Sequence, residues 1–250
     1  MIEYALAETA ADFWEKAGGY NSEFEEAVLF NLPVTVERLE NLTVKQVKNW
    51  LTRRKQVQSD LINLADRPLQ ACLITLGGQA NFIFLDSTDP PAEQLFSLAH
   101  EVAHFFLDYQ QPRQKVVEKL GHSALEVLDG LRPPTSEERL AGILSGVKIG
   151  PYQHFMQRDG QGNILSGQIL AAEGRADRLA IELLASAEQV SPIVKKAVQA
   201  EKIYSKRLSI AKNILIEQLG LANPIAKIYA GQLLQELGMT QSFREWLGGG

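Results

Sequence analysis

The sequence predicts a helix-rich α+β fold with a small antiparallel sheet. Most of the chain, including nearly everything from Ala171 onwards, has apolar residues at helical spacing. Two β-rich runs, 71–76 and 81–85, are separated by a glycine-containing turn, which is typical of a hairpin. The 250 residues are 45% hydrophobic and 22% charged, so the chain can bury a core of ordinary size. Helical segments are expected before and after the sheet-containing region in the sequence.

The N-terminal region, 1–66, is predicted to be helical. One helical pattern covers 3–30, and shorter helices are expected over 34–42 and 44–64. The segment 34–55 is similar to a helix-turn-helix, whose second helix would present side chains to DNA phosphates and bases. Those side chains are Lys45, Lys48, Asn49, Arg53 and Arg54. A helical hairpin with a solvated basic face is the favoured alternative, because the chain has a net charge of −5.

The central region, 67–190, begins with the hairpin, and a helix over 92–109 follows the second strand. Residues 110–170 have a mixed pattern and form an insertion before the next long helix. Within the insertion we expect a helix over 115–128 and short strands over 142–150 and 153–156.

The C-terminal region, 191–247, is predicted to be helical and to serve in packing or partner binding. The helical pattern from Ala171 onwards is expected to break near Ser191-Pro192, Asn223-Pro224 and Gly238.

Composition restricts the classes of function. The single cysteine, Cys72, excludes a disulfide framework and a thiolate zinc cluster. The N-terminal residues lack the basic start and apolar run of a signal peptide, and no apolar stretch approaches the roughly 18 residues of a membrane span. We therefore expect a cytoplasmic protein without a membrane partner.

The strongest chemical pattern is His100-Glu101-Val102-Ala103-His104. Histidines four residues apart lie on one helical face, so both imidazoles can bind one zinc ion. Glu101 would lie beside the metal, where it can act as the general base that activates water. The alternative is a pair of structural histidines on an amphipathic helix. The pattern predicts a zincin-like centre with one Zn²⁺ per chain, although Mn²⁺ and other divalent metals suit the same ligands.

A catalytic zinc needs a third protein ligand, for which Glu173 is the best candidate. Asp177 lies one helical turn later and would hydrogen-bond the far nitrogen of His100 or His104. The alternative for Glu173 is an acidic first-turn residue that complements the helix dipole. The other candidate ligands are His122, His154, Glu137 and Glu138.

Two residues of the insertion, Tyr152 and His154, are candidate donors to the oxyanion of an acyl-transfer intermediate. The strand over 82–85 is a candidate edge strand for an extended peptide substrate, which favours peptide hydrolysis over small-molecule hydrolysis.

Three blocks of sequence resemble the ImmA/IrrE family of metallo-endopeptidases: the hairpin ending Phe82-Ile83-Phe84-Leu85-Asp86, the segment 94–104, and the segment Glu173-Gly174-Arg175-Ala176-Asp177 with its continuation to Leu184. The resemblance implies that His100, His104 and Glu173 hold zinc and that Glu101 is the base. It also implies cleavage of a transcriptional repressor or antitoxin-like partner, which switches on stress or mobile-element genes. A DNA- or protein-binding regulator that retains the fold without proteolysis is the alternative function.

The sequence departs from the family pattern in several places. Asp86 and Asp177 stand where the family usually has asparagine, and 68 residues separate His104 from Glu173, a longer link than is common in the family. The inserted stretch can serve as a lid, a specificity element or a docking surface.

Overall fold

The computed structural model describes residues 2–20, 23–55, 62, 64–77, 80–145, 152–157 and 167–240. Within these residues helices predominate and four short strands form one mixed sheet, which confirms the predicted helix-rich α+β class. The strands are β1 (Thr35–Leu39), β2 (Leu69–Thr75), β3 (Asn81–Asp86) and β4 (Gln153–Gln157). The helices are α1 (Ile2–Lys16), α2 (Phe24–Asn31), α3 (Val44–Lys55), α4 (Pro91–His104), α5 (Gln111–Leu120), α6 (Ala124–Leu128), α7 (Ser136–Ser145), α8 (Gly167–Leu184), α9 (Ala187–Val198), α10 (Tyr204–Leu219) and α11 (Asn223–Glu236).

The sheet has the strand order β1-β3-β2-β4. The predicted hairpin is confirmed, since β2 and β3 pair antiparallel with Leu73 opposite Ile83. The insertion contributes β4, which pairs antiparallel with the other edge of β2 and places His154 opposite Leu73. Because β1 pairs parallel with β3, the sheet is mixed rather than purely antiparallel. The strand β3 is internal, so its predicted role as an edge strand for substrate is wrong.

The predicted helix over 34–42 is also wrong, because Thr35–Leu39 is a strand. Pairing with β3 satisfies the backbone groups of this short segment, and that long-range interaction outweighs its weak helical pattern. The segment 34–55 is therefore a strand, a turn and a helix rather than a helix-turn-helix. Asn41 has a positive φ of 51° in the turn, and the buried Asp86 carboxylate accepts hydrogen bonds from the backbone N–H groups of Asn41 and Leu42.

Other sequence-based boundaries also differ from the structure. The helix expected over 115–128 is two helices, α5 and α6, separated by a turn at Gly121. The helix expected over 3–30 is two helices, because Gly18 and Gly19 adopt positive φ values between α1 and α2. The helix expected over 44–64 ends at Lys55. Of the strand expected over 142–150, residues 142–145 belong to α7 and the remainder lies outside the described residues.

The predicted break at Ser191-Pro192 is wrong, since Pro192 lies inside α9. Val190, Val194 and Val198 form a buried stripe at helical spacing along this helix. Burial of that stripe outweighs the single backbone hydrogen bond that proline removes.

Each face of the sheet packs against helices. Side chains alternate along β3, so that Ile83 and Leu85 join the core under α4, while Phe82 and Phe84 join a second core under α3. The first core extends to buried residues of α1, α8 and α11. None of the described helices is long and apolar enough to cross a membrane.

Candidate metal centre

Helix α4 carries the three residues of the HEVAH segment that point to metal chemistry. It starts with Pro91 at its first turn, as is common for helix N-termini, and packs on β2 and β3 through its apolar face. His100, Glu101 and His104 are all at most 2% exposed. The Nε2 atoms of His100 and His104 lie 3.1 Å apart, so both imidazoles point towards one position.

Helix α8 brings Glu173 to the same position across 68 intervening residues. Glu173 Oε2 lies 3.3 Å from His100 Nε2 and 3.6 Å from His104 Nε2. The helices α4 and α8 can pack closely because both carry small buried residues, which are Ala99, Ala103, Ala176 and Ala180. Glu173 is the seventh residue of α8, so the alternative of a first-turn residue complementing the helix dipole does not apply.

The three ligand atoms have the spacing that a zinc ion requires. Nitrogen and oxygen ligands at 2.0–2.2 Å in a tetrahedron lie about 3.3 Å from one another. The distances among His100 Nε2, His104 Nε2 and Glu173 Oε2 are 3.1, 3.3 and 3.6 Å. These residues therefore fit a tetrahedral divalent metal without rearrangement.

The strand β4 adds His154 to this group. The ligand atoms of His100, His104, His154 and Glu173 all lie within 4.8 Å of one another. The ring of His154 stacks on that of His104 with centroids 3.6 Å apart, and its Nε2 lies 3.1 Å from Glu173 Oε1. Its Nδ1 lies 2.9 Å from the Glu101 carboxylate. The insertion thus contributes directly to the site.

Two aspartates position the histidines of α4. Asp177 Oδ1 lies 2.9 Å from Nδ1 of His100, and Asp108 Oδ2 lies 2.7 Å from Nδ1 of His104. Such contacts fix the tautomer that leaves Nε2 available for a metal. The Tyr152 hydroxyl in turn donates to Asp108 at 3.2 Å.

Asp108 is a site residue that the sequence patterns above do not include, although its i, i+4 spacing from His104 is a usable signal. Asp108 lies in a π-helical segment, Phe105–Gln110, that joins α4 to α5, whereas the sequence predicted one regular helix over 92–109. Single π-helical turns occur frequently at functional sites.

The charged groups of the site shift one another's pKa values. Burial lowers the pKa of His100, but the carboxylates of Asp177 and Glu173 raise it to about 9 overall. Burial likewise opposes protonation of His154, yet Glu101 and Glu173 raise its pKa to about 10. For Glu173, hydrogen bonds from the three histidines outweigh burial and hold its pKa well below the usual range. The carboxylates therefore favour protonated imidazoles in the metal-free protein, and a bound metal cation would take the place of those protons.

Burial and neighbouring charges also shift the pKa values of two groups at the edge of the cluster. Burial raises the pKa of the Asp108 carboxyl, but the His104 ring outweighs it and lowers the value overall. Burial and the nearby carboxylates raise the pKa of the Tyr152 hydroxyl far above its ordinary value. The phenol is therefore a hydrogen-bond donor throughout the physiological pH range.

Three candidate ligands lie elsewhere. His122 is exposed in the turn before α6. Glu137 is exposed on α7, and Glu138 forms an ion pair with Arg132 at 2.5 Å. The oxyanion role of Tyr152 and His154 stays a prediction, because here their polar atoms contact carboxylates of the site.

The basic side chains proposed for DNA contact lie on α3, on the opposite side of the sheet. Lys48 Nζ donates to the Leu64 carbonyl at 3.1 Å, and Lys45, Asn49, Arg53 and Arg54 are exposed. Without a preceding helix, they form a solvated helical face and not the recognition helix of a helix-turn-helix.

Residues 52–127 match the family model described as the IrrE N-terminal-like domain of a peptidase family. This match confirms the resemblance to ImmA/IrrE metallopeptidases. The matched segment includes His100, Glu101 and His104, and it ends before His154 and Glu173. No curated protein and no solved structure matches the chain.

Proposed function

We propose that this chain, whose residues 52–127 match the IrrE-type peptidase domain, is a zinc-dependent endopeptidase acting on a protein partner. The observation that carries the proposal is the arrangement of His100, His104 and Glu173. Their ligand atoms have the separations of a tetrahedral zinc site, and Glu101 lies on the same helix, one residue after His100. The Glu101 carboxylate is fully buried, which is costly for a charged group, and its place beside the two imidazoles suits a general base.

The roles of the residues follow from their positions. His100, His104 and Glu173 would hold the metal, which when bound polarises a carbonyl group and lowers the pKa of water. Glu101 would accept the proton of the attacking water, and its complete burial favours proton transfer without competition from solvent. Asp177 and Asp108 would orient the two imidazoles.

The substrate class is proposed from the sheet and from the family resemblance. Within the described residues β4 is the edge strand nearest to the cluster, and an extended peptide can pair with such an edge. The ImmA/IrrE resemblance makes a transcriptional repressor or antitoxin-like regulator the partner we propose. A role in stress or mobile-element regulation belongs to the same proposal, as does a cytoplasmic location.

The proposal is tested by metal analysis together with a cleavage assay. The protein, loaded with zinc, is incubated with a peptide library prepared from a proteome digest, and new termini are identified by mass spectrometry. We expect about one zinc per chain and a set of new termini that is lost in Glu101→Gln with the metal retained. General bases contribute about 10²–10⁴-fold, so the loss should be nearly complete. If Glu101→Gln produces the same termini at the same rate, Glu101 is not the base.

If neither the wild-type protein nor Glu101→Gln cleaves the library, although each holds one zinc per chain, the alternative function is favoured, which is a DNA- or protein-binding regulator without proteolysis. A metal content unchanged by Glu173→Ala would remove the geometric basis of the proposal.

A further inference from the structure

His154 lies between the two carboxylates that the proposed chemistry needs. Its Nδ1 is 2.9 Å from Oε2 and 3.1 Å from Oε1 of Glu101, the proposed base. Its Nε2 is 3.1 Å from Oε1 of Glu173, the proposed third ligand. The His154 side chain is only 12% exposed and that of Glu101 is fully buried, so water competes little for the contact between them.

The ring of His154 also stacks on the ring of His104. Their centroids are 3.6 Å apart and their planes differ by 22°. A metal ion lies in the plane of the imidazole that binds it, about 2.0–2.1 Å from the nitrogen. An ion in the plane of the His104 ring is therefore out of the plane of the His154 ring. His154 thus surrounds the metal site without being one of its ligands.

Strand geometry shows why His154 reaches this place. In the antiparallel pair of β2 and β4, His154 lies opposite Leu73, whose side chain belongs to the core under α4. Paired residues share a face of the sheet, so His154 points towards α4. Its neighbour Phe155 packs on the core under α3. The register of β4 therefore fixes the position of His154.

The two oxygens of Glu173 have different partners. Oε2 lies 3.3 Å from His100 Nε2 and 3.6 Å from His104 Nε2, whereas Oε1 contacts His154. A hydrogen bond to Oε1 holds the carboxylate with Oε2 directed to the metal position. Such partners of metal ligands contribute about 10–100-fold to metal affinity.

We propose that His154 is a positioning residue of the peptidase, which holds Glu173 with Oε2 towards the metal and holds Glu101 in place as the base. The inference rests on the proposed function and deepens it. A ring with both N–H groups donates to both carboxylates. A ring with one N–H donates to Glu173 through Nε2, and its Nδ1 accepts a hydrogen bond from Glu101 once Glu101 carries the proton taken from water. In both cases the insertion over 110–170 supplies the residue that links base and ligand.

Three substitutions separate the two contacts from the packing of the ring. His154→Phe keeps an aromatic ring for stacking on His104 and removes both hydrogen bonds. His154→Gln places an amide near the position of Nε2, and His154→Asn places one near Nδ1. His122→Phe, at an exposed position, is the matched control. Zinc affinity is measured by isothermal titration, and kcat and KM are measured on a peptide spanning a cleavage site found in the library assay.

We expect His154→Phe to lower zinc affinity by about 10–100-fold. At saturating zinc it should lower kcat by about 100-fold with KM unchanged, since a displacement of about 1 Å at a reacting group has that effect. His154→Gln should restore zinc affinity and leave kcat low, whereas His154→Asn should restore kcat and leave zinc affinity low. His122→Phe should change none of these quantities.

Wild-type zinc affinity and kcat in His154→Phe would show that the ring serves packing alone and would overturn the proposal. A lower kcat with unchanged zinc affinity, restored by neither amide, would also overturn it, because His154 would then act on the reacting carbonyl. If His154→Phe does not fold, as thermal unfolding shows, the opposite effects expected of the two amides decide the matter. If the wild-type protein binds zinc and cleaves nothing, the proposed function fails, and the zinc affinities still test whether His154 holds Glu173.

Discussion

The two faces of the sheet differ in what they bury. The face under α4 packs against buried ionisable groups, including His100, Glu101 and His104. The face under α3 buries apolar and aromatic groups, with Trp50 in edge contact with both Phe82 and Phe84 at 5.2 Å. Both faces use the same two strands, whose side chains alternate between the two cores.

The α4 face therefore carries the candidate metal centre, whereas the α3 face mainly stabilises the fold. Buried ionisable groups are costly unless they are paired, and on the α4 face each imidazole has a carboxylate partner. The residues buried on the α3 face are apolar or aromatic and need no charged partners. Their packing stabilises the sheet on the face opposite α4. Substitutions on the two faces should therefore affect different properties.

The largest expected effect comes from Glu173→Ala. This change removes the carboxylate that contacts all three imidazoles, so zinc affinity should fall by more than roughly 100-fold. Isothermal titration with zinc measures the change, and Glu137→Ala on the exposed surface of α7 is the matched control. Equal affinities for the two variants would contradict the site.

On the opposite face, Trp50→Ala should destabilise the fold by about 3 kcal/mol, because it removes two aromatic contacts from the second core. Zinc affinity of the folded protein should stay unchanged. Urea denaturation monitored by circular dichroism measures the first quantity and zinc titration the second. A weakened metal site would show that the two faces are coupled.

A smaller effect on the α4 face is expected for Asp108→Asn. The amide cannot stabilise the His104 ring as a carboxylate does, so zinc affinity should fall by about 10–100-fold. Tyr152→Phe removes only the hydroxyl that donates to Asp108 and should cause a smaller decrease. An effect of Tyr152→Phe greater than that of Asp108→Asn would contradict this order.

The α4 face should also make the metal-free protein sensitive to pH. Folding raises the pKa of His100 from 6.5 to about 9, so protonated His100 stabilises the fold fully below about pH 6.5. That contribution is lost as the pH rises through about 9, and the urea midpoint of chelator-treated protein should fall over this range. His100→Gln should reduce the slope, and bound zinc should remove it because a bound imidazole is neutral. A midpoint that rises over the same range would contradict the sign.

The smallest effect is expected for charge reversal of Arg53 and Arg54, both exposed on α3. Stability should change by less than about 0.5 kcal/mol, and metal binding should be unaffected. DNA binding at low salt, measured by fluorescence anisotropy, should be negligible before and after the change. Salt-sensitive binding that is lost on charge reversal would instead support a DNA-binding role for this face.

Local patterns in the sequence were enough to predict part of the site and of the fold. The spacing of His100 and His104 places both rings on one side of any helix, and Glu173 and Asp177 share a helical face for the same reason. The hairpin of β2 and β3 was predictable because its turn and strands are adjacent in sequence. The strand over 35–39 was not predictable, because it forms through pairing with β3, which lies more than 40 residues away in the sequence.

By itself, the sequence determined the chemistry of the α4 helix, because an i, i+4 pair of histidines with an adjacent glutamate needs only a helix to form. Only the tertiary structure decided which other residues join them. The docking of α8 brings Glu173 to the two rings, and the register of β4 on β2 turns His154 towards them. Helical periodicity acts within one turn of the chain, whereas strand register and helix docking depend on contacts across the whole fold.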